Sequence, residues 1–356
     1  MKIERNYGVD LLRIIAMYMV VVLHVLGKGG ILYSLEKMSI SYEVAWFLEI
    51  AAYCAVNCYA LISGYVGITS RYKLSSILLL WAQVIFYTVL MTFAFSVFMP
   101  DVITVKHIIR AFLPATFNQY WYFTAYVILF FMIPFINEGM KVMKKEVLKL
   151  MLVVMTILFS FISIFTSHDY FMLNNGYSAL WLVYLYMLGG YIGKYGILTK
   201  ISKPVLFMMY VLGVVATWTS KFVFEYFSLK IVDRSNIFVS YLSPTILFCA
   251  IALLLLFSRL EIKGVLKKIV LVLSPATFGV YLFHTHPLFW VNVWANSFKP
   301  FLEFSPLVLG VSVLGVAVVI YVSLSLVDIL RNKIFALLKI RNVVMKIEEY
   351  MLSKLS

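Results

Sequence analysis

Residues 9–28, VDLLRIIAMYMVVVLHVLGK, decide the fold. The run is apolar over about 20 residues, which at about 1.5 Å per helical residue crosses the ~30 Å hydrocarbon core of a bilayer. It also contains Asp10, Arg13 and His24, side chains that a purely structural membrane helix has no use for. Nine more apolar segments follow, at 44–66, 75–98, 119–138, 149–166, 177–193, 204–224, 236–257, 269–290 and 306–327. Across the 356 residues 63% are apolar and only 13% charged, whereas soluble globular chains run near 45–50% and 25%. This excludes a set of soluble domains. The expected fold is all-α, a polytopic membrane bundle of about ten transmembrane helices.

Charge sets the orientation. With the N-terminus inside, 22 of the 30 Lys and Arg fall on the cytoplasmic side, including Arg71 and Lys73, Lys141 to Lys149, Lys194 to Lys203, and Arg259 to Lys268. This is the positive-inside pattern, and it places both termini in the cytoplasm. The net charge of +14 is then explained by basic loops, with no nucleic-acid partner implied. The first run reads as a retained helix, because His24 interrupts it and no small-residue cleavage site follows. Cys54, Cys58 and Cys249 lie within apolar segments and read as buried thiols. No loop is long enough to fold as a domain, so the chemistry is expected inside a bundle spanning 1–327. Residues 328–356 read as a basic amphipathic tail on the anionic inner leaflet.

A charge near the bilayer centre costs roughly 2.5–3.5 kcal/mol on insertion scales, so each needs a partner or a purpose. Arg13 and His24 are eleven residues apart, about 20° from three full turns, and so share a helix face. The rise between them is about 16 Å, placing Arg13 near the cytoplasm and His24 in the outer half. Asp10, one turn before Arg13, is close enough to pair with it. Glu49 enters the second helix at a depth similar to His24, where a carboxylate either orients an imidazole or simply faces the outer interface. Tyr281, His284 and His286 reach the same level near the end of the ninth segment. Two histidines two residues apart point to different helix faces, so no metal is expected.

Ser63 and Gly64 precede Arg71 and Lys73 at the inner end of the second segment. Small residues there allow close helix approach. The basic pair is either a positive-inside feature or, with Arg13, a phosphate-binding cluster. Trp121, in the stretch Asn118-Gln119-Tyr120-Trp121-Tyr122, suits an interfacial belt or a sugar-stacking surface.

Asp10-Leu11-Leu12-Arg13 followed by His24, Ser63-Gly64-Tyr65 with Arg71 and Lys73, Trp121-Tyr122-Phe123 before Pro134, and Tyr281-Leu282-Phe283-His284 occur in one order over nearly the whole chain. In that order they resemble the membrane acyltransferase 3 family of bacterial surface-polysaccharide O-acyltransferases. The resemblance is to the stand-alone type, which lacks an added hydrolase-like domain. It implies a bacterial cell-membrane enzyme that takes an acyl group, by default acetyl, from cytoplasmic acyl-CoA. The acceptor is a hydroxyl of a surface polysaccharide or lipid-linked glycan. His24 is the implied catalytic residue, as base or covalent acyl carrier, with Glu49 beside it. Arg13, Arg71 and Lys73 are expected on the CoA phosphates, and Trp121, Tyr281 and His284 on the substrate. Asp10, Ser63 and Gly64 are expected in support. Lys73 departs from the arginine frequent at its position and lacks the bidentate fork. The runner-up is a transporter or flippase for lipid-linked saccharides, which would more often show paired helices broken at Gly or Pro.

Overall fold

A computed structural model describes residues 5–166, 168–196, 200–227 and 235–354; Lys2, Lys230, Arg234 and the last two residues of the tail lie outside the described residues. Among the described residues all regular structure is helical. The helices are α1 (Tyr7–Leu26), α2 (Ile40–Tyr53), α3 (Ala55–Gly67), α4 (Leu74–Phe98), α5 (Val105–Phe112) and α6 (Trp121–Val142). They continue as α7 (Lys145–Phe165), α8 (Ala179–Tyr195), α9 (Lys203–Phe227) and α10 (Pro244–Phe257). The last four are α11 (Gly264–Leu273), α12 (Thr277–His284), α13 (Pro306–Leu337) and α14 (Ile340–Ser353).

α1 is the axle of the bundle and packs on α2, α3, α10, α11, α12 and α13. Its start is held twice by Asn6, whose Oδ1 caps Val9 N–H at 3.1 Å and whose Nδ2 donates to the Ser258 carbonyl at 2.7 Å. Leu12, Ala16, Val21 and Val25 are fully buried around it. Among the described residues eight helices are long and apolar enough to cross a membrane, counting α2 with α3 and α11 with α12 as interrupted spans. The remaining two of the ten sequence segments form α8 and α10, of 17 and 14 residues. Both bury much of their surface against neighbours, so protein covers backbone and side chains that lipid covers elsewhere.

Two breaks were not expected from the sequence. One lies at Cys54 between α2 and α3. The other is a 3₁₀ turn, Ser274–Ala276, containing Pro275 and separating α11 from α12. They do not share a Gly or Pro position, so they are not the matched pair a transporter repeat would supply. The ninth segment also ends earlier than its apolar run. Pro287 forces His286 into an extended conformation (φ −56°, ψ 128°), because a residue before proline is pushed out of the helical region. α12 therefore stops at His284, and His286 caps a separate short helix, Pro287–Phe289.

The tail boundary also moves. α13 runs unbroken to Leu337, and its residues Asp328 and Arg331 are buried, so the segment 328–337 is bundle and not tail. Only α14 matches the expected amphipathic helix. It rests on α4 and α13 through Val344 and leaves Val343, Ile347, Tyr350 and Leu352 exposed.

α3 and α8 make the closest helix pair. A methyl group at Gly64 would overlap the Tyr186 carbonyl, and one at Gly189 the Leu61 carbonyl, so the two glycines bring backbone against backbone. Ser63 donates to the Tyr59 carbonyl at 2.9 Å within its own helix. Gly64→Val is expected to destabilise the protein by roughly 1–3 kcal/mol or more, since backbone cannot rotate away as a side chain can. A fall in detergent melting temperature measures this; an unchanged melting temperature would disprove the contact.

Candidate active site between two cavities

His24 occupies the last turn of α1, where the chain is pinned by its neighbours. Trp294 Nε1 donates to the His24 carbonyl at 2.8 Å. The backbone N–H groups of Asn296 and Phe298 donate to the carbonyls of Lys28 and Gly29, each at 3.0 Å. The ring of Trp290 stands edge-on to the imidazole at 4.7 Å. His24 Nδ1 lies 2.8 Å from His284 Nε2, while Nε2 of His24 makes no hydrogen bond among the described residues.

Leu23 and His24 are walls of two cavities at once. One, of about 90 Å³, follows α1 past Val20 and Met17, one and two turns on the Arg13 side of His24, and is lined by Tyr59, Trp121, Phe278 and Tyr281. The other, of about 520 Å³, lies beyond His24 and is lined by Lys28, Trp46, Glu49, Tyr53 and Trp290. Tyr177 and Tyr241 border both. The first lining is almost wholly apolar and aromatic; the second brings a lysine and a carboxylate to the space. The second is of a size that holds a substrate-sized ligand, and the first is a narrow slot beside it.

Arg13 is not part of the chamber lining but is joined to it through one lining residue. Tyr59, which lines that chamber, donates to the Arg13 carbonyl at 2.7 Å. Asp10, 2% exposed, receives Arg13 Nη1 and Arg5 Nε, each at 2.5 Å. The expected Asp10–Arg13 pair is therefore present, with a second guanidinium that the sequence reading did not place. Two guanidinium groups on one carboxylate leave a net positive charge at the N-terminal end of α1. Arg71 and Lys73 lie exposed in the turn between α3 and α4. Among the described residues neither contacts Arg13, which pairs with Asp10, so the three do not form a contact cluster. Beside Lys73, the Ser75 hydroxyl and the backbone at the start of α4 hold the Glu348 carboxyl of α14 below the usual carboxylate range.

Glu49 and His284 exchange the parts expected of them. Glu49 is 7% exposed; among the described residues its Oε2 has no partner, and it lines the larger cavity without a hydrogen bond to His24. His284, expected at the substrate, is wholly buried and lines neither cavity; it is the imidazole's partner. Trp121 and Tyr281 line the apolar chamber with His24. Trp121 packs on Tyr177 at 4.5 Å and stacks with Tyr241 at 6.4 Å, so its ring faces a chamber wall and no open sugar-binding surface. His286 is buried beside Tyr120, with Nδ1 unpartnered, away from both cavities.

Several contributors were not singled out from the sequence. Tyr59, Tyr177, Tyr241, Trp290 and Trp294 carried no signal beyond being aromatic in an aromatic-rich chain. Lys221 and Glu225 were legible as an i,i+4 pair. They pair at 2.6 Å, with Tyr42 donating to Glu225 at 2.6 Å and the Lys221 ammonium 4.1 Å from the Trp46 ring centroid. That buried cluster backs the Trp46 wall of the larger cavity.

The family model described as an acyltransferase domain, of the acyltransferase 3 type, matches residues 6–326. No curated protein and no solved structure matches the chain. The match begins at the Asn6 cap, takes in both cavities and every residue of the His24 site, and ends within α13. With its apolar spans, the chain therefore belongs to the acyltransferase 3 family and is a membrane acyltransferase.

Proposed function

We propose that this enzyme moves an acetyl group from cytoplasmic acetyl-CoA to a hydroxyl of a surface polysaccharide or lipid-linked glycan outside the bacterial cell membrane. In this orientation both termini are cytoplasmic. The observation that carries the reading is that His24 is a shared wall of two cavities of different character. The apolar chamber suits a thin pantetheine arm and acyl group; the outer cavity, with Glu49, Lys28 and aromatic walls, suits a polyhydroxylated acceptor. The net positive charge around Arg13, with Arg71 and Lys73 at the same end of the bundle, suits the CoA phosphates.

Transfer then needs one imidazole and two correctly placed substrates. His24 Nε2 takes the proton of the acceptor hydroxyl as the oxygen attacks the thioester carbonyl. The C–O bond forms, the C–S bond breaks, and the CoA thiolate leaves on the chamber side. The proton passes from His24 to the thiolate, giving the ester and free CoA and restoring the neutral imidazole. Direct transfer is favoured over a covalent acyl-histidine because one ring borders both spaces and both substrates can be present together.

The test is release of CoA from radiolabelled acetyl-CoA by the purified full-length protein, with water or added glycans as acceptor. Turnover is expected; none with any acyl-CoA would overturn the proposal. Arg13→Ala is expected to raise KM for acetyl-CoA about 10-fold or more with a smaller change in kcat, as loss of a charge-assisted hydrogen bond worth roughly 1.5–3 kcal/mol predicts. An unchanged KM in a normally folded variant would remove Arg13 from the donor site.

A further inference from the structure

This inference rests on His24 being the reacting imidazole. His284 Nδ1 is 2.6 Å from the Val280 carbonyl oxygen. A carbonyl can only accept, so the proton in that contact sits on His284 Nδ1. The ring is wholly buried, flanked by Trp294 at 5.3 Å and His24 at 5.0 Å. No carboxylate is bonded to it among the described residues. A doubly protonated ring there would be an uncompensated buried charge, so His284 is neutral and its Nε2 carries a lone pair. The 2.8 Å contact between His24 Nδ1 and His284 Nε2 then needs its proton on His24 Nδ1.

We propose that His284 is a positioning residue that locks His24 in the tautomer protonated at Nδ1, leaving Nε2 bare as the only site that can accept a proton or attack. The line from His24 Nδ1–H through His284 to the Val280 carbonyl performs the orienting work that a buried carboxylate performs for a catalytic histidine elsewhere. Its last acceptor, the Val280 carbonyl, lies in the middle of α12, one turn before His284. The line strengthens when His24 becomes an imidazolium, because a charged donor makes a stronger hydrogen bond than a neutral one. The break at Pro287 contributes directly: it ends α12 at His284 and lets the following segment fold its tryptophans against both rings. Glu49, freed from orienting His24, remains available to accept hydroxyl protons of the glycan in hydrogen bonds.

The test has a spectroscopic arm and a kinetic arm, both on the full-length protein in nanodiscs. The chain has five histidines, so ¹⁵N-histidine resonances can be assigned by single substitutions. His24 is expected to show a protonated Nδ1 and an unprotonated Nε2; the opposite tautomer would overturn the proposal. In the kinetic arm, His284→Gln keeps an acceptor oxygen near the place of Nε2 and is expected to stay within about threefold of wild-type acetyl-CoA consumption. His284→Leu keeps bulk without an acceptor and is expected to lose roughly 10–100-fold in kcat with KM for acetyl-CoA little changed. Equal losses in the two folded variants, or wild-type kcat in His284→Leu, would also overturn it. If wild type consumes no acetyl-CoA, the acyl-CoA proposal fails, while the resonance pattern still decides the tautomer.

Discussion

His24→Ala is expected to abolish acyl transfer while leaving the protein folded and inserted. Among the described residues that line both cavities, the imidazole is the only side chain whose ordinary titration range lies near neutral pH, since Tyr177 and Tyr241 are phenols, so no neighbour can take its part. Losing a general base alone lowers a rate by about 10²–10⁴. The orientation of two substrates across one ring is lost with it, so the variant should fall at or beyond the upper end of that range. Folding should survive because His24 is held by its backbone, through Trp294, and makes one side-chain hydrogen bond. Its removal enlarges existing cavities and opens no new one in a packed core. The measurement is acetyl-CoA consumption by the purified variant, with size-exclusion behaviour and melting temperature confirming the fold. Wild-type turnover would remove His24 from the mechanism. If His24→Gly regained activity with added imidazole, that would identify base chemistry at this position, because free imidazole can fill the space and carry the proton.

The second large effect concerns stability. Asp328→Ala is expected to cost about 3–5 kcal/mol, the range for breaking one side of a buried ion pair. The carboxylate is 0% exposed. Its Oδ1 accepts from Gln83 at 3.0 Å, Tyr87 at 2.9 Å and Arg331 Nε at 3.0 Å. Its Oδ2 accepts from Arg331 Nη2 at 2.8 Å and Asn332 at 3.3 Å. Alanine would strand the buried Arg331 guanidinium and leave four polar side chains without their common acceptor. It would also hollow the contact with Gly279, whose missing side chain makes room for the carboxylate. The expected result is a large drop in melting temperature and in yield of folded protein. Asp328→Asn, which keeps shape but not charge, should fall between wild type and alanine. Asp328→Ala combined with Arg331→Leu should recover part of the loss, because the stranded charge goes with its partner. If Asp328→Ala melted like wild type, the cluster would contribute nothing to holding α13 against α4.

These two residues mark the reach of the sequence. His24 was legible because it depends on one helix: a polar residue in an apolar run, in phase with Arg13, states its own face and depth. Gly64 was legible as a small residue at a packing position, though its partner, the Tyr186 carbonyl, was not. Asp328 was misplaced into the tail because its surroundings in the sequence, with Arg331 and Lys333, look like a basic cytoplasmic segment. Nothing local announces Gln83 and Tyr87, which are more than 200 residues earlier. Glu49 and His284 show the same limit. Depth along two helices predicted correctly that both would lie near the level of His24. Depth carries no azimuth, and azimuth decides which of them touches the imidazole.

The sequence by itself determined the membrane bundle, the ten helical segments, the Arg13–His24 stripe and the acyltransferase family. These follow from apolar length, helical period and short motifs, all properties of contiguous chain. Only the tertiary structure decided where helices break, that Asp328 belongs to the core, that Glu49 lines the larger cavity, and that His284 touches His24. Those outcomes depend on which helix faces meet, and rotating one helix about its axis changes its partners without altering the pattern of its own residues.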